Sequence, residues 1–544
     1  MTLIKSGTIL ALFLWGLVGF RLSNWGLPGA SAGHLLGVPD LARQVSILWK
    51  VPSDSIGEDT RPGCLGNERR IIHVQALLTR ERVFTRDPEE FASLSLLMPQ
   101  LPLLVTNSPE SISRFYRIIR MVSFLLVTVA GLLLAWEESA RGIGWGLVSW
   151  TLFWSGPGLV AWSLDATPWA GALVFVVGCW DVARRIYRDP TWTWAVGAGT
   201  LGGIAAGCVP VYGACLLLPV SGILARGRFP GAGRQPGRTE SLRLITLTLL
   251  AGFSTYLVIH FLFSSGALQK VPPSVLHVED LLRVPHGPGE QHSFQLRWSR
   301  FGHQSLAFFA NGLVPAVGLP ILFLAIVGLL AKFRNARWSV LIAVPGALSY
   351  GCIMGLVVDE NMGSQIQQQA LFVVPFVTGA AVHGLRFLGN GSLPRILCLL
   401  LVTVGLSWVQ TGSIVGAYAA GSRGVGSRIR ARQWLLDQVP TESTIGLSSG
   451  EAWIACPPLD SSTHALVLFS GVPDQGATPE HCLPKYWLSV NDHPLPRGYT
   501  RLGRFAERGL FGEWTSPTGE GAPLTLGVRA GSPDTRGTAE DDTT

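Results

Sequence analysis

Residues 119–136 read IRMVSFLLVTVAGLLLAW, an apolar run in which the one charged residue is Arg120. A helix that crosses the hydrocarbon core of a bilayer needs about 20 mostly apolar residues. Residues 395–417, RILCLLLVTVGLSWVQTGSIVGA, have the same character much later in the chain. Runs of this length and composition predict helices that span a membrane.

The overall composition agrees with these two runs. The chain has 544 residues, of which 48% are hydrophobic and 14% charged, and its mean hydropathy is +0.36. Soluble proteins usually carry about 25% charged residues. A single large soluble enzyme is therefore excluded, and so is a disordered chain, which needs high charge and few apolar residues. The net charge of +7 comes from arginines in short connectors, so no nucleic-acid partner is predicted.

The same criterion applied along the whole chain predicts about eleven spanning helices. The fifth and sixth are rich in glycine and meet at Val209–Pro210, so they form either two helices or one broken element. The first follows Lys5 and is either an uncleaved anchor, which we favour, or a signal peptide cleaved near residues 30–32. The predicted spans are residues 6–20, 119–136, 143–162, 168–183, 192–208, 210–225, 243–264, 306–331, 338–358, 370–388 and 395–417.

The basic residues of the short connectors predict an orientation in an inner or plasma membrane. Connectors on the cytoplasmic side carry an excess of lysine and arginine. This rule is obeyed by every short connector if the N-terminus is cytoplasmic, since the connectors on the other side hold Asp165, Asp359 and Glu360. The cytoplasmic connectors then hold Arg141, Arg184, Arg185, Arg188, Arg226, Arg228, Arg234, Arg238, Lys332, Arg334, Arg337 and Arg386.

Long polar segments then lie on the extracytoplasmic side. Two are loops, at residues 21–118 and 265–305, and the third is the C-terminal part of the chain. Alternating apolar stretches in that part predict a small α/β domain, in which Cys456 and Cys482 either pair or remain free thiols. The predicted organisation is an all-α polytopic transmembrane domain over residues 1–420, an extracytoplasmic C-terminal domain over 421–528, and a disordered tail over 529–544.

Functional residues are expected in the extracytoplasmic loops. Secondary transporters usually combine short loops with internal repeats and ionisable residues deep in their helices. This chain has no recognisable repeat and almost no charge within its predicted spans. The layout therefore favours chemistry at the outer face over transport.

Two short stretches in these loops carry a resemblance to a known family. Residues 67–73 read NERRIIH and are followed by Arg86-Asp87, and Leu164-Asp165-Ala166 follows the third predicted span. These stretches and the layout resemble the GT-C glycosyltransferases, specifically the protein mannosyltransferase and lipid A aminoarabinose transferase branch. Members of that branch have Asp-Glu followed by His in the first loop, and Leu-Asp-Pro in the second.

The resemblance implies an activity and a set of site residues. The expected substrate is a sugar on a polyprenyl phosphate, which is moved to an acceptor of unknown identity at the outer face. Glu68 and Asp165 are the implied catalytic carboxylates, with Asn67 and His73 beside Glu68. The phosphate leaving group requires positive charge, which Lys270 and a denser cationic cluster in the same second long loop would supply. That cluster consists of Arg297, Arg300 and His303. No resident cofactor or metal site is predicted, and the need for a divalent metal stays open.

The sequence departs from the family at two places. Asn67 stands where relatives have the catalytic aspartate, and an asparagine side chain cannot accept a proton at any useful pH. Residues 365–369, QIQQQ before Pro375, stand where relatives have an arginine. These departures favour a second hypothesis, a catalytically silent relative that binds a lipid-linked sugar or a partner enzyme. A transporter of lipid-linked substrates is a third.

Each candidate residue also has a purely structural interpretation. Glu68 can pair with a neighbouring arginine in solvent, and His73 can be a hydrogen-bonded structural histidine. Asp165 can cap the helix that follows it, and the cluster at 297–303 can contact lipid headgroups. Asp40 is the alternative catalytic acid if residues 67–87 do not correspond to the family motif.

Overall fold

A computed structural model describes most of the predicted helical bundle and part of the C-terminal region. The described residues are 15–19, 21–22, 112–164, 168–228, 236–264, 301–334, 346–347, 350–352, 354, 365–422, 426–441, 443–448, 464–469, 484–490, 494–506, 508–509, 512–513 and 523–529.

Helices account for nearly all of the described residues before residue 440. Short 3-10 segments at Pro210–Leu216 and Leu371–Val373 and a π-helical segment at Phe308–Leu313 join some of them. The helices are α1 Ile112–Ser139, α2 Ile143–Trp154, α3 Pro157–Ser163, α4 Pro168–Arg188, α5 Trp192–Cys208, α6 Leu217–Arg228, α7 Arg238–Ser264, α8 Phe301–Ala307, α9 Val314–Val317, α10 Leu319–Arg334, α11 Gln365–Ala370, α12 Val374–Gly389, α13 Leu393–Ser422 and α14 Ser427–Gln438.

Several helices have the length and surface of membrane spans. Within the described ranges, four helices are long and apolar enough to cross a bilayer, and a bent pair of helices makes five if it is counted as one span. Large apolar side chains point outward on them, such as Leu401, which is 70% exposed, and Phe253, which is 56% exposed. Such surfaces are stable in lipid and unstable in water. The described part of the chain is therefore that of a polytopic membrane protein, whereas the predicted total of eleven spans stays a prediction.

Glycine residues allow α10 and α12 to pack closely against each other. A Cβ atom on Gly328 of α10 would lie 1.9 Å from the carbonyl oxygen of Ala380, and one on Gly384 of α12 would lie 1.9 Å from that of Leu324. The two backbones can approach this closely only because neither position carries a side chain. Packing of small residues is how helices associate without a hydrophobic driving force in lipid.

Two of the predicted spans are broken in the structure. The run 143–162 was predicted as one helix, but it ends at Trp154 and restarts at Pro157, which has no N–H to continue the hydrogen-bond ladder. The run 306–331 was also predicted as one helix. It bends by 105° at Gly318, whose φ of +93° does not occur in a right-handed helix. The prediction of two continuous helices was therefore wrong.

The two breaks pack against each other. A Cβ atom on Gly158 would lie 2.6 Å from the Cα atom of Ala316, so the two backbones are in direct contact. The carbonyl oxygen of Ser155, which the break frees, accepts a hydrogen bond of 2.9 Å from the Thr411 hydroxyl of α13. Backbone groups inside a membrane protein must be paired within the protein. The break is therefore a stabilised part of the bundle.

Residues 427–529 contain α14 and two sheets. The main sheet has the order β2-β1-β3-β7-β4, in which β1 is parallel to β2 and β3, and β7 is antiparallel to β3 and β4. Apolar residues of α14 and the sheet, such as Leu435, Ile445 and Leu526, form one buried core. The strands are β1 Ser443–Ser448, β2 His464–Phe469, β3 Tyr486–Val490, β4 Tyr499–Phe505, β5 Arg508–Gly509, β6 Gly512–Glu513 and β7 Leu524–Arg529, of which β5 and β6 form a separate pair.

Candidate functional site

The predicted site residues lie largely outside the described ranges. This holds for Asn67, Glu68, His73, Arg297 and Arg300, and for Asp165, which falls in the undescribed connector 165–167. His303 is described, and it is exposed in α8. The structure therefore leaves the roles of these residues as predictions. It does describe the two helix ends that flank Asp165, namely α3 and the start of α4.

One end of the bundle holds arginines that contact acidic and aromatic side chains. At the end opposite to the 165–167 connector, Arg184 lies 2.7 Å from Glu137, with side chains that are 8% and 14% exposed. The Arg226 guanidinium lies 5.9 Å from the centre of the Tyr187 ring, so the C-terminal ends of α4 and α6 meet there. These arginines all belong to connectors predicted to be cytoplasmic. The structure thus gathers them at one end, as the orientation rule requires, without itself showing which side of the membrane that end faces.

A buried turn of glutamines lies at the other end. This turn, α11, which we call the glutamine turn, packs against the π-helical segment, α3, α4 and α9. A Cβ atom on Gly312 of the π-helical segment would lie 2.8 Å from Ile366 Cγ2. Gln368 and Gln369 are 5% and 3% exposed. The turn therefore contacts both helices that flank the 165–167 connector.

Aromatic rings hold the glutamine turn in place. Tyr350 stacks on Phe372 with ring centres 4.1 Å apart, and its hydroxyl donates a 2.5 Å hydrogen bond to the carbonyl oxygen of Gln369. Tyr212 contacts both Phe372, at 5.0 Å, and Trp169, at 5.5 Å. Trp169 is the second residue of α4. The chain of rings therefore links the start of α4 with the residues that follow the glutamine turn.

The relative direction of α4 and α12 supports this placement. Near its start, α4 is linked through Tyr212 to Phe372, and further along, its Trp180 contacts Phe376 at 4.9 Å. The helices α4 and α12 therefore run side by side in the same direction. Residues that precede Phe372, which are those of the glutamine turn, lie level with Pro168 at the start of α4.

Several buried polar atoms in this region have no partner among the described residues. These atoms are Gln367 Oε1, Gln368 Nε2, Gln304 Oε1 and Ser305 Oγ. Gln304 is 4% exposed and precedes the buried Phe308 by one helical turn, on the same face. Phe308 contacts Tyr350 at 6.3 Å between ring centres. Buried amide groups are nearly always hydrogen-bonded in folded proteins, so these atoms are expected to pair with water, with a ligand or with side chains outside the described ranges.

The glutamine run stands out in the sequence, whereas the aromatic residues around it do not. Tyr212 and Tyr350 lie in predicted spans and carry no charge, so a search for ionisable residues passes over them. A tyrosine in the middle of an apolar run is the signal that could have found them, because a buried hydroxyl needs a partner. Within the described ranges, no group of three or more His, Cys, Asp or Glu side chains is arranged to hold a metal ion.

Comparisons with known proteins find similarity among solved structures. No family model matches the chain, and no curated protein matches it. Among solved structures, the chain is similar to the crystal structure of ArnT from Cupriavidus metallidurans in the apo state. The sequence identity is 12% and the TM-score 0.41, over 92% of this chain and 98% of that chain. A similarity of this strength carries no conclusion about the site or the activity of this chain.

Proposed function

We propose that the chain is a membrane glycosyltransferase that moves a sugar from a polyprenyl-phosphate donor to an acceptor at the extracytoplasmic face. The observation that carries the proposal is the buried glutamine turn, which packs against both helices that flank the 165–167 connector, at the end of the bundle opposite to the Arg184–Glu137 pair. A polar, enclosed site at the end of an apolar bundle suits a substrate with a sugar head and a lipid tail. The layout of long outer loops and the resemblance of residues 67–73 and 164–166 support the same activity.

In this proposal a carboxylate acts as general base. Asp165 or Glu68 removes the proton from an acceptor hydroxyl, whose oxygen attacks the anomeric carbon of the donor. The bond between that carbon and the phosphate oxygen breaks, and polyprenyl phosphate leaves with the electron pair. General-base assistance contributes about 10²–10⁴-fold in rate. Arg297, Arg300 and His303 would stabilise the negative charge of the departing phosphate.

The proposed function is tested by measuring consumption of the lipid-linked sugar donor. Purified protein is incubated with labelled polyprenyl-phosphate sugars, and loss of the lipid-linked sugar is followed for wild type, Glu68→Gln and Asp165→Asn. We expect at least one variant to lose turnover by about 100-fold or more. Asp181→Asn is the matched control, since Asp181 lies in the same helix hairpin and pairs with Arg185 at 2.9 Å near the opposite end. Unchanged turnover in both variants would redirect the search to Asp40.

A catalytically silent relative is the second candidate function. Asn67, in place of the family aspartate, and the glutamine turn, in place of an arginine, favour it. Such a protein would bind a lipid-linked sugar with measurable affinity and leave it intact. Binding without turnover of any donor, in the same assay, would select this function over the first.

A further inference from the structure

The chain changes direction sharply just before α10. The helical segment His303–Val317, which contains most of α8, the π-helical segment and α9, makes an angle of 105° with Leu319–Ala331 of α10. α10 packs extensively against α12, which belongs to a helix that is long and apolar enough to span a bilayer. The segment 303–317 is therefore nearly perpendicular to a helix that packs on a membrane span, and it runs close to the plane of the membrane.

The length of α10 agrees with this arrangement. α10 has 16 residues, and at 1.5 Å per residue it is about 24 Å long, which is shorter than the hydrocarbon core of about 30 Å. A helix that lies across the end of α10 has a radius of about 5–6 Å and makes up the difference. The segment 303–317 then lies where the acyl chains meet the headgroups. It does so at the glutamine-turn end of the bundle, since Gly312 contacts Ile366 there.

One face of this segment packs against the bundle. Gln304, Phe308 and Ala316 are 4%, 6% and 0% exposed, and Gly312 is also buried. These positions recur at every fourth residue, whereas an α-helix has 3.6 residues per turn. The π-helical segment has a wider turn, which keeps the four positions on one face.

The exposed part of the segment is divided into an apolar and a polar side. Leu306 is 63% exposed and Phe309 is 43% exposed, and residues three apart are neighbours on a helix surface. His303 and Asn311 are also exposed. They are separated by about two turns when the wide π turn is included, so they share a different side. A helix with an apolar and a polar side suits the boundary between acyl chains and headgroups.

The adjoining helix α10 presents the apolar surface that lipid requires. Leu319, Phe323 and Ile326 are 66%, 62% and 50% exposed. They follow one another at spacings of four and three residues, which places them on one side of the helix. Exposed apolar side chains therefore continue from Leu306 and Phe309 onto a surface that is stable in lipid.

We propose that the segment 303–317 is an interfacial helix whose partner is the lipid leaflet at the glutamine-turn end of the bundle. Leu306 and Phe309 lie among the acyl chains, and His303 and Asn311 face the headgroups. Because Gly312 packs on Ile366, the contact of this helix with the leaflet also fixes the position of the glutamine turn. This inference does not depend on the proposed transferase activity.

Depth measurements on spin-labelled, full-length protein in liposomes test the inference. A nitroxide is attached to His303→Cys, Leu306→Cys, Phe309→Cys or Asn311→Cys, one at a time. Molecular oxygen reaches labels among the acyl chains, and a water-soluble nickel chelate reaches labels near the headgroups. We expect oxygen to reach positions 306 and 309, and nickel to reach positions 303 and 311 at equal depth. The native cysteines outside the buried group are first replaced by serine, namely Cys64, Cys352, Cys398, Cys456 and Cys482.

Leu319→Cys and Ile326→Cys on α10 are the matched controls. Both positions are exposed on one side of a helix that crosses the bilayer, so their depths should differ by about 10 Å. A difference of about 12 Å between positions 303 and 311 would show that the segment spans the bilayer instead, and would overturn the inference. Labels at 306 and 309 that neither reagent reaches would also overturn it, because protein would then cover the apolar side. So would labels there that only nickel reaches.

Discussion

The hydroxyl of Tyr350 donates a 2.5 Å hydrogen bond to the backbone carbonyl oxygen of Gln369, and the Tyr350 ring stacks on Phe372 three residues further along. One side chain therefore holds both the glutamine turn and the 3-10 segment that follows it. Since Gln368 and Gln369 are adjacent, the position of the Gln368 amide depends on this contact.

Replacing Tyr350 with phenylalanine should destabilise the glutamine turn without creating a large cavity in the core. The ring stack remains, but the hydrogen bond from the Tyr350 hydroxyl to the Gln369 carbonyl is lost, at a cost of about 1–3 kcal/mol. We expect a lower melting temperature in detergent and weaker binding of the polyprenyl-phosphate sugar donor. Tyr187→Phe, at the opposite end of the bundle, is the control and should leave donor binding unchanged. Equal donor binding by both variants would contradict a positioning role for Tyr350.

The ion pair at the arginine-rich end predicts a second effect, this time on stability alone. Glu137→Gln removes the ion-pair partner of the buried Arg184 guanidinium and leaves it only the electrostatic interaction with Glu138. Breaking a buried pair costs up to about 3–5 kcal/mol. The double variant Glu137→Gln/Arg184→Met should recover part of that loss, because it removes the uncompensated charge. Thermal unfolding in detergent measures both.

An exposed arginine in the same helix provides the comparison for this pair. The Arg185 side chain is 47% exposed and pairs with Asp181 at 2.9 Å. Exposed pairs contribute about 0–1 kcal/mol, so Arg185→Met should have a small effect. A similar loss for Arg185→Met and Glu137→Gln would show that burial does not decide the strength of these pairs.

The sequence predicted the helices better than their breaks. The run 192–208 coincides with α5, which begins after Thr191, whose hydroxyl accepts a 3.4 Å hydrogen bond from the Trp194 amide. The breaks at Ser155 and Gly318 were missed because hydropathy stays high through both. Each depends on a partner far away in sequence, such as Thr411, and such a partner cannot be inferred from the local pattern.

The candidate site could be predicted only in part for the same reason. The glutamine run stands out in the sequence as polar residues before an apolar helix. Its enclosure by α3 and α4 arises from tertiary packing, and so does its link to Trp169 through Tyr212. A single sequence holds no information on which apolar helices become neighbours. The catalytic roles of Asp165 and Glu68 remain predictions from the sequence.

A tyrosine outside the bundle predicts a pH dependence. The Tyr499 hydroxyl donates a hydrogen bond to the carbonyl oxygen of Pro484. Burial raises the pKa of Tyr499 above its ordinary value, although the nearby Arg529 opposes the shift. A group whose pKa is raised by folding stabilises the folded state below its unfolded pKa, which is about 10 for tyrosine, and loses that contribution as the pH rises through the folded value.

The stability difference between wild type and Tyr499→Phe should therefore narrow at high pH. Below about pH 9, wild type should be more stable, since the variant lacks one hydrogen bond, a difference of about 1 kcal/mol. Above about pH 10, wild type should lose this advantage. Thermal unfolding of both proteins across pH 8–11 gives the comparison. A constant difference over that range would mean that Tyr499 does not titrate with unfolding.

The crossing of α10 and α12 gives the sharpest prediction for packing. A Cβ atom on Gly384 would lie 1.9 Å from the Leu324 carbonyl oxygen, a distance that no real Cβ contact reaches, so Gly384→Ala must push the two helices apart. Overpacking of a well-packed interior typically costs about 1–3 kcal/mol, and a backbone atom cannot move aside as a flexible side chain can. We expect a loss at the upper end of that range or beyond it.

Gly405→Ala on α13 is the matched control for this crossing. A Cβ atom there would meet no atom within 4 Å. Alanine is favoured over glycine inside a helix by about 0.5–1 kcal/mol, so this variant should be as stable as wild type or slightly more stable. Melting temperatures of Gly384→Ala and Gly405→Ala in the same detergent test whether close packing at Gly384 is required. If Gly384→Ala melts like Gly405→Ala, the two helices cannot cross as closely as their backbones do in this structure.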